Sequence, residues 1–223
     1  MFLLAVGMGC AGAPATHPTA GAHPSTRYRV GDYVVYEYRG AWTTAPVILR
    51  ERVTAREGNR LRIDVTAERG SEVRRWVQVV VDTPENQRNN VVDALYEARD
   101  DGFVRLPNEG NRDLFRLYEW VRFEPDGPAT DVQTVSCERS FGGRIHACTC
   151  TRGRTRWNGR PVVLDQARCP DFLWTHGPGG FRDPTTGEEV FWIDVLESGR
   201  HADARAEPME PMPLVEATAP AVR

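Results

Sequence analysis

The chain has 223 residues, a formal net charge of −3 and a mean hydropathy of −0.48. All 28 of its basic residues are arginine, and the lack of a basic excess argues against a dedicated nucleic-acid binder. No stretch approaches the ~18 consecutive apolar residues that a membrane-spanning helix needs. Residues 28–200 are enough for one domain with a sizeable core.

The N-terminus combines a short apolar run over residues 2–8 with a small residue, a cysteine and a segment without apolar periodicity. The four residues at the junction are Gly7-Met8-Gly9-Cys10. This order resembles the start of a bacterial lipoprotein, in which a signal peptide is cut just before a cysteine that is then lipidated. The resemblance implies a signal peptide over residues 1–9, lipidation of Cys10 and a flexible tether over residues 10–27.

The first part of the folded region has the alternation of β-strands. Two runs alternate apolar and polar residues, which is typical of strands with one face in water. Gly58-Asn59 predicts a turn between two strands. Residues 76–81 are apolar almost throughout, which indicates a strand covered on both faces. The apolar positions of the alternating runs are Val34, Tyr36 and Tyr38, and Leu61, Ile63, Val65 and Ala67.

Two segments then change from a period of two to helical spacing. Thr83 can cap a helix that has Pro84 at its first position, and a second helix is predicted to begin at Asn111. The apolar residues at helical spacing are Val91, Val92, Leu95 and Tyr96 in the first segment, and Leu114, Leu117, Tyr118 and Val121 in the second.

The strand pattern returns in the last third of the folded region. Gly142-Gly143 and Asn158-Gly159 predict two-residue hairpin turns with positive φ at both positions. A third turn at residues 185–187 leads into a strand over residues 189–196. The remaining residues, 201–223, are rich in proline and have no apolar stripe, so we expect a disordered tail.

The order of strands, two helices and strands predicts a single α+β domain over residues 28–200. We expect a mostly antiparallel, twisted β-sheet with the two helices packed on one face. With the lipoprotein-like start, this order resembles the open, half-barrel lipoproteins of the bacterial periplasm. That resemblance implies a half-barrel sheet and a role in carrying or sensing lipophilic molecules.

Four cysteines remain once Cys10 is assigned to lipidation, and an even number in an exported chain favours disulfides. Counting outward from the two hairpin turns places Cys137 opposite Cys148, and Cys148 opposite Cys169, with Cys150 one step along the same face. The second of these pairs falls on a non-hydrogen-bonded site, where side chains approach more closely. This favours Cys148–Cys169 with Cys137–Cys150 over Cys137–Cys148 with Cys150–Cys169.

A metal-binding or thiol-redox protein is the alternative, based on His146, Cys148 and Cys150. On a strand these three side chains point to one face, where ligands two residues apart can share a soft metal ion such as Zn²⁺ or Cu(I). Oxidising surroundings favour disulfides over this metal site.

Arg152, Arg154 and Arg156 share the same strand face and continue the cysteine stripe toward the Asn158-Gly159 turn. Such a row can contact an anionic surface, for example lipid headgroups, with an affinity that falls as salt rises. The other interpretation is a solvated hairpin end.

No catalytic motif is present: the sequence has no G-x-S-x-G elbow, H-E-x-x-H, phosphate loop or dinucleotide fingerprint. We therefore predict a cell-envelope lipoprotein, held to a membrane by its lipid anchor and facing the periplasm or the cell exterior. Its role is binding or assembly without catalysis, its partner is an envelope protein or a lipophilic small molecule, and no nucleic acid or cofactor is expected.

Overall fold

The computed structural model describes residues 28–83, 92–106, 125–174 and 177–215. In these ranges the chain forms eleven strands and no helix, so none of their segments is a helix able to cross a membrane. The strands form one antiparallel sheet. They are β1 (Asp32–Arg39), β2 (Val47–Glu57), β3 (Arg60–Arg69), β4 (Glu72–Val81), β5 (Val92–Arg99), β6 (Gly102–Leu106), β7 (Thr130–Phe141), β8 (Arg144–Trp157), β9 (Arg160–Arg168), β10 (Gly179–Arg182) and β11 (Glu189–Arg200).

The sheet consists of two meanders that are joined at the first and last strands. Its order is β6-β5-β4-β3-β2-β1-β11-β10-β9-β8-β7, so β6 and β7 are the two edges. β1 pairs with β11 along its whole length, from Asp32 opposite Arg200 to Arg39 opposite Trp192. The consecutive strands β6 and β7 therefore lie at opposite edges of the sheet.

The expectation of an α+β domain with two packed helices is wrong, because the described residues are all β. The segment predicted as the first helix contains β5, in which Leu95 packs on one face of the sheet while Ala94 and Tyr96 pack on the other. A strand buried on both faces loses strict alternation, so its apolar residues imitate helical spacing. Outside the described residues lie the second predicted helix, with Asn111, Leu114, Leu117, Tyr118 and Val121, and the predicted signal peptide (1–9), Cys10 and tether (10–27).

The other strand and turn predictions are confirmed. The two alternating runs form β1 and β3, residues 76–81 belong to β4, and residues 189–196 belong to β11. Gly142-Gly143 and Asn158-Gly159 each join two strands with positive φ at both positions, as a type I′ hairpin turn requires.

The sheet curls so strongly that its two halves share one inner core. The ring of Trp157 in β8 lies 5.6 Å from the ring of Phe191 in β11, three strands away. Phe191 also contacts Tyr38 of β1, with ring centroids 6.1 Å apart. At the turn between β7 and β8, the N–H of Gly142 donates to the carbonyl of Val195 at 3.2 Å. These contacts bring the β7–β8 hairpin back over the strands at the centre of the sheet.

Residues 201–215, here called the C-terminal strap, cover the outer face of the first meander. The N–H of Glu207 donates to the carbonyl of Thr54 at 2.8 Å. Met209 is 6% exposed and packs in a second apolar cluster, on the face of the sheet opposite the inner core, with Tyr96 among its members. The first meander is therefore also covered on its outer face around Met209.

The strap also reaches the β6 edge. The N–H of Phe103 donates to the carbonyl of Pro213, and the N–H of Val215 donates to the carbonyl of Phe103, both at 2.9 Å. The expected disordered tail over residues 201–223 is thus wrong for its first fifteen residues, because they bury apolar surface and bond to the sheet. Residues 216–223 lie outside the described part.

We predict that Met209→Ala lowers the free energy of unfolding by about 2 kcal/mol, because it removes a buried side chain from the second cluster. Met212 is 69% exposed, so Met212→Ala should change the free energy of unfolding by less than about 0.5 kcal/mol. Urea denaturation of both variants measures the difference. Equal effects would show that the strap is not anchored through Met209.

Candidate functional site

Two disulfides hold the β7–β8–β9 meander together. Cys137 is bonded to Cys150 with Cα atoms 5.9 Å apart, and Cys148 is bonded to Cys169 with Cα atoms 4.1 Å apart. Cys137 stands opposite Cys148, as counting from the Gly142-Gly143 turn predicts. The bonding is the pairing that the register argument favoured, and it links the three strands side by side.

The alternative site of His146, Cys148 and Cys150 does not form in this oxidised state. Both cysteines are disulfide-bonded, so neither offers the thiolate that a metal ion binds. Nδ1 of His146 lies 3.0 Å from Oδ2 of Asp171, and its ring stacks on Phe141 with centroids 4.1 Å apart. Within the four described ranges, no three His, Cys, Asp or Glu side chains are grouped as a metal site would require.

The predicted arginine row lies further along β8. Arg152 donates to the buried carboxylate of Asp165 at 3.0 Å, which also pairs with Arg139 at 3.2 Å. The side chain of Arg154 is 78% exposed and lies 3.7 Å from the carboxylate of Asp131. Arg156 is exposed as well. The structure thus leaves all three arginines exposed, with Arg152 and Arg154 each beside a carboxylate.

The whole β7–β9 meander is basic although the chain is acidic. Residues 130–168 contain seven arginines and three acidic residues, a net charge of +4, whereas the chain carries −3. A local excess of this kind attracts anionic partners, and the attraction weakens as salt rises. The arginines are Arg139, Arg144, Arg152, Arg154, Arg156, Arg160 and Arg168.

β7 is the outermost strand of this meander, and no described strand pairs with its outer side. Phe141 and Arg144 flank the two-residue turn as a hydrogen-bonded pair. Bonded and non-bonded pairs alternate from that point. The backbone N–H and C=O groups of Thr134, Ser136 and Glu138 therefore point away from β8, toward the side of β7 that no described strand pairs with.

The side chains of β7 are exposed on both faces along most of the strand. Among them are two apolar residues, Val132 at 53% and Val135 at 60% exposure. Natural edge strands are usually blocked by proline, lysine, a β-bulge or a covering segment. β7 has neither proline nor lysine, and its irregularity lies at its start, between Thr130 and Gln133. The other edge strand, β6, is bonded by the strap at Phe103. Among the described strands, β7 therefore offers the longer open edge.

A second feature, which the sequence analysis missed, is Glu51 on the inner face of β2. It stands opposite Val34 in β1 and Val65 in β3, both of which are buried. In the described part of the chain its carboxyl group has neither a hydrogen bond nor an ion pair. Burial raises its pKa from 4.5 to about 7. The sequence signal that could have revealed Glu51 is an acidic residue at an inward-facing position of β2, between the apolar residues Leu49 and Val53.

Comparison with known proteins assigns no family. No protein-family model matches the chain, and no curated protein matches it. The chain is similar to a chain in the complex structure of Pseudomonas aeruginosa MucA/MucB, with 12% sequence identity and a TM-score of 0.40. The match covers 79% of this chain and 53% of the chain from that complex. This chain therefore spans about half of the length of the protein it matches. At this TM-score the likeness supports no functional assignment.

We predict that Glu51→Gln raises the free energy of unfolding by about 3 kcal/mol at pH 8 and changes it little near pH 4.5. The folded chain keeps the Glu51 proton up to about pH 7, whereas the unfolded chain releases it near 4.5. The free energy of unfolding of the parent chain therefore falls as pH rises from about 4.5 to 7. The Glu51→Gln variant has no proton to lose at this position, so it should not show this fall.

Denaturation at the two pH values measures the effect, with Glu57→Gln as the matched control. Glu57 is exposed on the same strand, so its amide should leave the pH dependence of stability unchanged. A Glu51→Gln variant with the pH dependence of the parent chain would contradict a raised pKa at Glu51.

Proposed function

We propose that this chain is a lipid-anchored protein of the cell envelope that binds an acidic, extended segment of an envelope protein along β7. In this mode the partner segment adds a strand to the sheet, and main-chain hydrogen bonds supply much of the affinity. The single observation that carries the proposal is the open edge of a basic, disulfide-bonded meander.

The disulfides support both the location and the binding mode. Disulfides persist in oxidising compartments such as the periplasm and the cell exterior, which agrees with the lipoprotein-like residues 7–10. The Cys137–Cys150 bond also fastens β7 to β8 before any partner arrives. A binding strand that is ordered in advance loses less conformational entropy when it binds.

Charge selects the partner among the chains that could pair with an open edge. A second copy would bring another meander of charge +4 against the first, and like charges at this distance repel. A segment with acidic side chains reverses the sign of that interaction. Arg154, on the neighbouring strand β8, has a side chain that is 78% exposed, and we expect it to meet such side chains.

We predict that Cys10 becomes the mature N-terminus and carries acyl chains. Several acyl chains on one residue hold a protein stably in a bilayer, at about 0.8 kcal/mol per buried CH₂ group. The full-length chain in a bacterial host should therefore fractionate with membranes, and Cys10→Ala should release it or block processing. Equal solubility of the two forms would contradict the anchor.

We predict that Ser136→Pro abolishes partner binding while Ser136→Ala retains it. Proline removes only the outward-pointing N–H of an edge strand, so the bonds to β8 and the fold should survive. A photo-crosslinking residue at Thr134 in the native host detects the adduct, and mass spectrometry identifies the partner. The adduct should be an acidic segment of an envelope protein, present with alanine and lost with proline.

Two results would contradict strand addition along β7. One is the same adduct in both variants, which would place the contact on side chains alone, as expected for an anionic surface. The other is an adduct of the chain with itself, which would make β7 a self-association edge. Preserved disulfides and an unchanged thermal midpoint of Ser136→Pro establish that the variant is folded.

A further inference from the structure

An open groove lies on the outer face of the first meander, beside the C-terminal strap. Its volume is about 400 Å³, at the lower end of the range of about 300–1,000 Å³ for small-molecule sites. Trp76 packs in the inner core and Val77 in the second cluster, so the alternation along β4 places Arg75 on the outer face with Val77. Arg75 and Pro213 both line the groove and are exposed, so the groove is open to solvent.

The strap supplies an apolar wall for this groove. The N–H of Phe103 donates to the carbonyl of Pro213 at 2.9 Å. A Cβ atom at Gly102 would lie 2.6 Å from the same carbonyl oxygen, so only glycine lets the strap approach β6 this closely. Phe103 stands opposite Ala98 of β5, and both line the groove together with Pro213 and Val77. The apolar wall is therefore fixed in place before any ligand binds.

Arg75 provides the groove with a positive charge that has no partner. In the described part of the chain, its guanidinium group has neither an ion pair nor a hydrogen bond. Two acidic residues flank the position opposite it in β3, but each is paired with another arginine. Asp64 pairs with Arg62 and Glu68 pairs with Arg50, both at 2.8 Å. The planar guanidinium fork of Arg75 is therefore free to bind a carboxylate through two parallel hydrogen bonds.

Two carboxyl groups at the end of the groove are also without partners. Asp100 and Asp101 form the two-residue turn between β5 and β6, and both line the groove. Among the described residues, neither carboxyl group has an ion pair or a hydrogen bond. Arg99, which also lines the groove, pairs with Glu97. The groove thus has unpaired charges of both signs beside an apolar wall.

Unpaired charges of both signs select a ligand that carries both. A simple anion would meet Arg75 but would also be repelled by two carboxylates, and a simple cation would gain from the carboxylates but be repelled by Arg75. An α-amino acid carries its carboxylate and its ammonium group on the same carbon atom, from which the side chain projects. An apolar side chain on that carbon matches the wall of Phe103 and Pro213.

We propose that this groove is a binding site for a hydrophobic α-amino acid. The carboxylate of the ligand pairs with Arg75, its ammonium group pairs with the carboxylates of Asp100 and Asp101, and its side chain lies against Phe103 and Pro213. The site goes beyond the proposed binding of a partner segment and is independent of it, because β7 contributes no residue to the groove.

Titration calorimetry of the purified chain at about pH 7 tests the site with three probes that share one apolar body. They are L-phenylalanine, 3-phenylpropionate, which lacks the ammonium group, and 2-phenylethylammonium, which lacks the carboxylate. L-phenylalanine should bind at least about tenfold more tightly than either of the other two, because each of those leaves one charge of the groove unpaired. Glycine, which lacks the apolar side chain, should bind too weakly to detect.

Variants assign each charge of the ligand to its partner. Arg75→Gln should lower the affinity for L-phenylalanine about tenfold and leave that for 2-phenylethylammonium no weaker than in the parent chain. The double variant Asp100→Asn with Asp101→Asn should lower the affinity for L-phenylalanine by a similar factor and leave that for 3-phenylpropionate no weaker. All three substitutions are at exposed positions, where the fold should tolerate them.

Two control variants complete the experiment. Arg74→Gln is the matched control, because Arg74 neighbours Arg75 on the same strand but pairs with Glu72 at 3.0 Å and does not line the groove. Its affinity for L-phenylalanine should equal that of the parent chain. Ser136→Pro should also bind L-phenylalanine normally, which separates a failure of this site from a failure of the β7 proposal.

Three results would overturn the proposal. Equal affinities for the three probes would mean that the groove does not recognise the two charges of an amino acid. Unchanged binding of L-phenylalanine in Arg75→Gln would place the ligand elsewhere on the chain. No detectable binding of L-phenylalanine at millimolar concentration would mean that the groove holds no ligand of this class.

Discussion

The pairing of β1 with β11 is the contact on which the rest of the structure depends. It joins two meanders that lie at opposite ends of the chain, and it is closed at one end by an ion pair between Asp32 and Arg200, residues 168 positions apart. Contacts of such long range carry a loop-closure cost. Without them each meander would expose its share of the inner core, since Tyr38 of β1 packs on Phe191 of β11.

The two edges of the sheet are treated in different ways. The C-terminal strap crosses the outer face of the first meander and bonds to Phe103 at the β6 edge, so strand pairing there is satisfied within the chain. The second meander has disulfides in place of a strap, and these stiffen β7 without covering it. In the described part of the chain, the first meander therefore has an edge, β6, that is hydrogen-bonded to the strap. The second meander has an edge, β7, that is basic, fastened by a disulfide and not paired with another strand.

The candidate sites were predictable to the extent that local geometry determines them. Two-residue turns at Gly142-Gly143 and Asn158-Gly159 admit essentially one register, and from that register the disulfide pairing could be argued. The arginine row on β8 was visible for the same reason. Glu51 could have been recognised as inward-facing from the alternation along β2, but the absence of a cation beside it depends on where Arg50, Arg52 and Arg56 find their partners, and those partners are distant in sequence.

By itself the sequence determined the turns, the alternating strands and the hairpin register, because each depends on residues that are close along the chain. It favoured the cysteine pairing that the structure shows but left a second pairing open. Only the tertiary structure decided that the segment around Leu95 is a strand and that the strap docks. Both follow from burial on the second face of the first meander, where Met209 and Tyr96 lie in one cluster. A strand covered on both faces loses its period of two, and a strap is ordered only by the surface it covers. That surface exists only once the sheet has formed.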